Sequence, residues 1–192
     1  VTVLLMVAGY LAWIGASSLS WNLLTTVPTG DVANPGGMRH AIDGTIVLVL
    51  LAAMLGVPLG VLAGIYLSEY PEEARLTGPL RFIADVLTGV PSIVVGILGY
   101  ELLVVPVSRL TENSISFSGF AGAGALAFIM IPIVARTTEE MLRLVPRSYR
   151  EGSLALGATR SQTIFRVVLP GAFGGITTGI VLAMGRIAGE TV

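Results

Sequence analysis

The stretch EGSLALGATRSQTIFRVVLP, residues 151–170, is a polar, arginine-bearing segment set between long apolar segments. It begins with Glu151, contains Gly157 and ends with Leu169 and Pro170. Glycine ends helices readily and proline suits a first helical turn, so the order predicts a short helix, a turn at Gly157 and a new helix at Pro170. We expect Glu151 near the beginning of the short helix, where the helix dipole favours a carboxylate.

Composition indicates that the segments around this stretch lie in a membrane. Hydrophobic residues make up 54% of the 192 residues, charged residues make up 12%, and the mean hydropathy is +0.85. These values lie well outside the usual balance of soluble proteins. The sequence therefore predicts an integral membrane protein.

Several kinds of site are excluded by residue types that are absent from the sequence. There is no cysteine, which excludes disulfides and thiolate metal sites, and the single histidine, His40, cannot build a histidine cluster. All 11 basic residues are arginine, so the lysine-containing phosphate loop of many ATPases is excluded. We predict no catalytic residue, no metal site and no cofactor bound by this chain, and energy from ATP must arrive through a partner.

Five apolar stretches are each close to the length of about 20 residues that crosses the hydrocarbon core as a helix. The predicted fold is an all-α, polytopic helical bundle, a single transmembrane domain over residues 1–192, with a polar cytoplasmic loop at about 143–170. We also expect a sixth helix after Val192, because an even number of crossings is natural for such a subunit. The stretches cover about 1–19, 41–68, 80–106, 118–142 and 171–192.

Arginines predict the orientation of the bundle. They concentrate in the second and fourth connections between the apolar stretches, which the positive-inside rule places in the cytoplasm. The N-terminus is then cytoplasmic as well, and the loops around 20–40 and 107–117 face outward. Arg75 and Arg81 flank the second connection, the fourth holds Arg143, Arg147, Arg150, Arg160 and Arg166, and the other two hold only Arg39 and Arg109.

Small residues recur at helix-packing spacing in the second apolar stretch. Gly56, Gly60 and Gly64 form two successive GxxxG steps, which predict close packing against a neighbouring helix. Pro58 lies in the same run and frees a backbone carbonyl that protein or water must satisfy.

Charged residues inside the spans are candidates for a substrate pathway. Arg136 and Glu139 are three residues apart on the fourth stretch, and Arg186 and Glu190 are four apart on the fifth, so each pair shares a helical face. Guanidinium groups offer forked donors to an oxyanion, and carboxylates can accept protons from phosphate hydroxyls. The alternatives are a membrane-boundary anchor or a structural ion pair for Arg136, and a structural pair with Glu190 for Arg186.

The stretch at 151–170 resembles the cytoplasmic coupling loop of ABC-importer permeases, which docks on a transport ATPase. The resemblance covers a Glu, two small residues, a Gly and a distal Leu-Pro, and it implies that this loop transmits the motion of the ATPase. The matching residues are Glu151, Gly157, Leu169 and Pro170, with Gly152 and Ser153 in place of the usual alanines.

Longer runs resemble the phosphate permeases, PstA type, of the binding-protein-dependent importer family. The resemblance extends over about residues 40–192 and implies a multi-pass protein of a bacterial or archaeal cytoplasmic membrane. It implies a second permease subunit, two cytoplasmic ATPase subunits that bind ATP and magnesium, an external phosphate-binding protein and membrane lipid, and no nucleic acid. It also implies pathway roles for Arg136, Glu139 and Arg186, to which helix spacing adds Glu190. The runs are GVPLGVLAGIYLSEY (56–70), FIADVLTGVPSIVVG (82–96), IPIVARTTEEMLRLVPRSYREGSLALGAT (131–159) and RIAGET (186–191).

The sequence leaves other functions open. A permease for sulfate or molybdate would carry a similar coupling loop, and an ion channel or an intramembrane enzyme could use buried charges. The latter two are disfavoured, because no intramembrane HExxH or GxSxG motif is present and a channel does not need a coupling loop.

The predicted orientation can be tested in this cysteine-free chain by single cysteine substitutions. Cysteine at Asn34 or Asn113 should react with a membrane-impermeant thiol reagent applied from outside, and cysteine at Ser161 should react only after the membrane is opened. The opposite labelling pattern would overturn the orientation.

Overall fold

The computed structural model describes residues 1–16, 19–30, 36–70, 76–106 and 119–191, and every regular element in these ranges is helical. The chain divides into two compact units, Val1–Ile46 and Val47–Val192. Five residues used in the sequence analysis lie outside the described ranges: Asn34, Arg75, Arg109, Asn113 and Val192.

In the first unit, a short polar connection separates α1 (Thr2–Ala16) from α2 (Trp21–Thr25). The hydroxyl of Ser20 accepts the Leu23 amide at 3.3 Å and so caps α2. With 15 residues, α1 is shorter than the 1–19 stretch predicted to span the membrane. Its apolar side chains are exposed.

Three helices are long and apolar enough to cross a membrane among the residues that the structure describes. They are α3 (Arg39–Glu69), α6 (Gly119–Leu144) and the continuous helix Arg160–Glu190. The first two agree with the predicted stretches 41–68 and 118–142. The third begins earlier than the predicted 171–192, because the helix runs unbroken through the positions of Leu169 and Pro170. The total of five spans stays a prediction.

The predicted stretch 80–106 forms a bent pair of helices instead of one straight span. Its parts, α4 (Thr77–Gly89) and α5 (Ser92–Gly99) with a π-helical turn at Tyr100–Val104, are bent by 112°. Val90 is extended, with ψ of 133°, because the ring of Pro91 disfavours helical geometry in the preceding residue. The local steric effect of proline therefore breaks the stretch 80–106, which hydropathy alone predicts as one continuous span.

Helix α6 is the common packing partner of α3, α4, α5 and α9, the last of which spans Leu169–Glu190. Three glycines of α3 face three side chains of α6: Gly56 meets Met130, Gly60 meets Val134, and Gly64 meets Thr138. The predicted GxxxG contact is therefore confirmed. The three α6 side chains are fully buried.

The close approach of α3 to α6 makes a prediction for Gly64. A Cβ atom there would stand 2.5 Å from Thr138 Cβ and 2.6 Å from the carbonyl oxygen of Ala135, so the helices would have to separate. We expect Gly64→Ala to destabilise the fold by about 1–3 kcal/mol, the usual effect of overpacking. The measurement is the thermal unfolding midpoint in detergent.

The matched control for Gly64→Ala is Gly44→Ala on the same helix, where no atom lies within 4 Å of the new Cβ. The control should unfold at the wild-type temperature or above it, since alanine favours helix. Equal unfolding temperatures for the two variants would contradict the packing argument.

Candidate functional site

The carboxylate of Glu139 on α6 is the centre of an arginine cluster. Its side chain is only 3% exposed, and its oxygens lie 2.8 Å from Arg81 Nη2, 3.1 Å from Arg136 Nη1 and 2.8 Å from Arg143 Nη2. Burying an unpaired carboxylate is strongly unfavourable, so the three guanidinium groups account for its stability here. The predicted pairing of Arg136 with Glu139 is present.

A second carboxylate extends the cluster toward α4. Arg136 also donates from Nη2 to Asp85, whose side chain is 50% exposed. Arg81 and Asp85 are four residues apart on α4, and each is paired with a residue of α6. Because the charges on α4 and α6 are complementary, two ion pairs fix the position of α4 on α6.

These groups form a basic, partly accessible site that is suited to an anion. Three arginines and two carboxylates leave a formal excess of one positive charge, and Arg136 is 30% exposed. An oxyanion that entered would compete with Glu139 and Asp85 for the same guanidinium donors. The arrangement is therefore chemically suited to an exchange of ion-pair partners with an anion.

Arg186 and Glu190, the other predicted pathway residues, lie elsewhere. Both are exposed on α9, and among the described residues no hydrogen bond or ion pair joins them. Gly179 of α9 packs against Thr137, beside Arg136, and Arg186 lies seven residues further along, about 10 Å at the helical rise. The structure therefore does not place Arg186 and Glu190 in the Glu139 cluster.

The predicted coupling segment begins with α7 (Arg147–Ala155), which follows α6 after Val145 and Pro146. Glu151 is exposed in the middle of α7, so the expectation that it lies near the beginning of the helix is wrong. The reason is that Pro146 precedes the first helical residue and sets the start at Arg147.

The turn predicted at Gly157 is present. Gly157 has φ of +86°, a conformation that glycine adopts without strain. Its amide donates to Leu154 O at 3.0 Å, and the Ala158 amide donates to Ser153 O at 3.2 Å, the two bonds of a Schellman cap. The predicted end of the short helix is thus confirmed.

The chain then enters α8 (Arg160–Thr163), which continues through a π turn at Ile164–Val168 into α9. The Ser153 and Thr163 hydroxyl oxygens lie 2.9 Å apart and join α7 to this long helix. Leu169 and Pro170 begin the α-helical geometry after the π turn, but the helix is continuous from Arg160, so the helix expected to start at Pro170 begins earlier than predicted. The π turn changes the backbone hydrogen-bond pattern just before Pro170, which has no amide hydrogen to donate.

A polar cavity of about 620 Å³ lies between the end of α3 and α7, lined in part by Glu69, Arg150 and Glu151.

Sequence reasoning missed Arg81, Asp85 and Arg143 in the Glu139 cluster, and Glu69 beside Arg150. Helical spacing could have indicated Arg143, which is four residues after Glu139. The other contacts join residues that are far apart in the chain, for which no local pattern exists.

Comparison with known proteins agrees with this architecture. Residues 56–192 match the family described as "Binding-protein-dependent transport system inner membrane component". The chain is 43% identical over 189 residues to the phosphate transport system permease protein PstA of Yersinia pestis, covering 95% of this chain and 62% of that protein. It is 42% identical over 168 residues to the probable phosphate transport system permease protein PstA of Methanocaldococcus jannaschii, covering 86% and 56%. The chain thus spans about three fifths of the curated relatives it matches.

Solved structures show the same fold. The inward-facing MetNI methionine ABC transporter, in one crystal form, aligns with a TM-score of 0.60 at 25% identity, over 80% of this chain and 68% of that chain. An amino acid ABC transporter solved with histidines aligns with a TM-score of 0.56 at 23% identity, over 80% and 70%. With the family match over residues 56–192, these likenesses lead to one conclusion: the chain is a multi-pass inner-membrane protein that belongs to the family of binding-protein-dependent transport system inner membrane components.

Proposed function

We propose that this chain is the permease subunit of an ATP-driven importer that moves inorganic phosphate inward by alternating access. The observation that carries the proposal is the 43% identity to a phosphate transport permease over 95% of the chain. The chain itself performs no chemistry in this scheme. Two cytoplasmic ATPase subunits bind ATP and magnesium, a second permease subunit of similar fold completes the pathway, and an extracytoplasmic protein delivers phosphate.

The exposed position of Arg186 supports a partner in the membrane. A charged side chain that faces lipid within the hydrocarbon core costs several kcal/mol, so such residues face protein or a water-filled cavity. The described part of this chain gives Arg186 neither a protein surface to face nor an enclosed cavity, since its side chain is exposed and Glu190 does not pair with it. We therefore place Arg186 at the boundary with the second permease subunit, where it would meet phosphate.

The Glu139 cluster would be the inner part of the same pathway. Its arginines can exchange carboxylate partners for a phosphate, and Glu139 can accept a proton from a phosphate hydroxyl. A fully ionised sulfate offers no such proton, so a carboxylate at this position disfavours it. This favours phosphate over the alternatives of sulfate and molybdate.

The geometry of α7 supports its role as the coupling helix. It is a short helix with no fully buried residue, and a Cβ atom at Gly152 would meet no atom within 4 Å. Small residues at 152 and 153 leave space on this helix for an ATPase surface to approach closely. Neither an ion channel nor an enzyme requires such an element.

The coupling role predicts the effect of Gly157→Pro. Proline holds φ near about −65° and has no amide hydrogen, so it is incompatible with the +86° of Gly157 and with its bond to Leu154. We expect membrane insertion to persist and ATP-driven phosphate uptake to be lost. The control is Gly78→Ala, where a new Cβ meets no atom within 4 Å. Normal uptake by Gly157→Pro would refute the coupling role of this segment.

The pathway role predicts the effect of substitutions at Arg186 and Glu190. Arg186→Gln should assemble with its partners yet fail to transport, and Arg186→Gln/Glu190→Gln should fail equally, because the two side chains are not paired in the chain. The measurement is phosphate uptake, normalised to the amount of assembled complex.

The matched control for these variants is Arg39→Gln, which removes an arginine from a pair that is 61% and 63% exposed. Such surface pairs contribute about 0–1 kcal/mol, so uptake should be unchanged. Near-normal uptake by the double variant would show that Arg186 and Glu190 serve packing and not transport.

A further inference from the structure

The end of α3 is tied to the coupling segment through one arginine of α7. Arg150 Nη2 and Nε lie 2.9 and 3.3 Å from the same oxygen, Glu69 Oε1. The guanidinium also donates from Nη1 to Val145 O at 2.6 Å and from Nη2 to Leu142 O at 2.8 Å. One side chain of α7 therefore holds together the last residue of α3, a carbonyl in the last turn of α6 and the carbonyl of Val145, which follows α6.

A second arginine strengthens the same connection. Arg160, the first residue of α8, donates to the backbone carbonyl of Glu69, and its guanidinium carbon lies 5.0 Å from the ring centre of Tyr70. The Tyr70 ring stacks on Tyr66 of α3, with ring centres 4.6 Å apart. Both helices of the coupling segment are thus attached to the end of α3.

The surroundings of the pair distinguish it from an ordinary surface ion pair. The side chain of Glu69 is 9% exposed and that of Arg150 is 20% exposed, so water screens the charges only in part. A planar guanidinium can reach a carboxylate and two carbonyls at once, which a lysine ammonium on a flexible chain does less well. The positive charge also lies at the carbonyl end of α6, where the helix dipole favours it.

The connection between α6 and α7 explains why such a tie is needed. Only Val145 and Pro146 separate the two helices, and Pro146 is extended, with ψ of 142°. A non-helical link of this kind can act as a hinge, so α7 could turn without moving α6. The bonds from Arg150 to Leu142 O and Val145 O span that link, and the bond to Glu69 adds α3.

We propose that Arg150 and Glu69 form the joint that transmits movement of α7 to α3. The inference rests on the proposed function, since it assumes that an ATPase moves α7. Because α3 packs on α6 through Gly60 and Gly64, a force applied at Glu69 reaches the two long helices together. Arg150 is a positioning residue here and does not touch the substrate.

The test uses the absence of cysteine from this chain. The Glu69→Cys/Arg150→Cys chain is assembled in proteoliposomes with the second permease, the ATPase subunits and the phosphate-binding protein. The ATPase subunits used here are versions that lack reactive cysteines. We expect ATPase subunits to stay bound and phosphate uptake to fall by at least about tenfold, since the mostly buried pair that joins α7 to α3 is gone. A flexible bis-maleimide that bridges the two cysteines should restore uptake to within about threefold of wild type.

Two controls separate a mechanical joint from other effects. N-ethylmaleimide modifies the same cysteines without bridging them and should restore nothing. Arg39→Cys/Asp43→Cys removes an exposed ion pair near the other end of α3 and should transport normally with or without either reagent. Three results would each overturn the joint. They are uptake close to wild type in the unbridged Glu69→Cys/Arg150→Cys complex, loss of bound ATPase from that complex, and failure of the bridge to restore transport.

A further readout separates this inference from the proposed function. In the wild-type complex, failure of ATP-driven phosphate uptake would refute the proposed function. The joint is then tested by measuring how far the external binding protein that the complex recognises stimulates ATP hydrolysis. This stimulation should be lost in the unbridged variant and regained when the two cysteines are bridged. Stimulation that is unaffected by the double substitution would overturn the joint independently of the substrate.

Discussion

The buried carboxylate of Glu139 is the interaction on which the arrangement of helices around α6 depends. A carboxylate with 3% exposure in a membrane helix requires compensation, and three arginines from α4 and α6 supply it. Arg81 comes from α4, so neutralising Glu139 also fixes α4 against α6. In the proposed function, a phosphate would take the place of a carboxylate among these arginines.

Small residues determine how the remaining helices approach α6. In a bilayer the lipid chains are as apolar as the side chains, so helix association depends on close packing more than on the hydrophobic effect. Glycines provide that packing for two helices: Gly60 of α3 packs against Val134, and Gly179 of α9 packs against Thr137. Since α3 and α9 both pack closely on α6, a displacement of α6 cannot leave either of them unaffected.

Charge thus has two structural uses around α6. Around Glu139 several arginines surround one carboxylate and leave an excess of positive charge, an arrangement suited to exchanging partners. Around Arg150 one guanidinium holds a carboxylate and two backbone carbonyls, an arrangement suited to a fixed connection. The first belongs to the proposed pathway and the second to its coupling with the ATPase.

Composition and local pattern by themselves determined the membrane character of this protein, the positions of α3 and α6, the glycine contact face of α3 and the turn at Gly157. These features depend on neighbouring residues: hydropathy over a helix length, small residues four apart, and the freedom of glycine to adopt positive φ. Only the tertiary structure decided which charges meet. Arg81 and Glu139 are 58 residues apart and Arg150 and Glu69 are 81 apart, so packing of whole helices, and no local spacing, brings each pair together. Arg186 and Glu190, which share a helical face by their spacing, are both exposed on α9, and no ion pair joins them among the described residues.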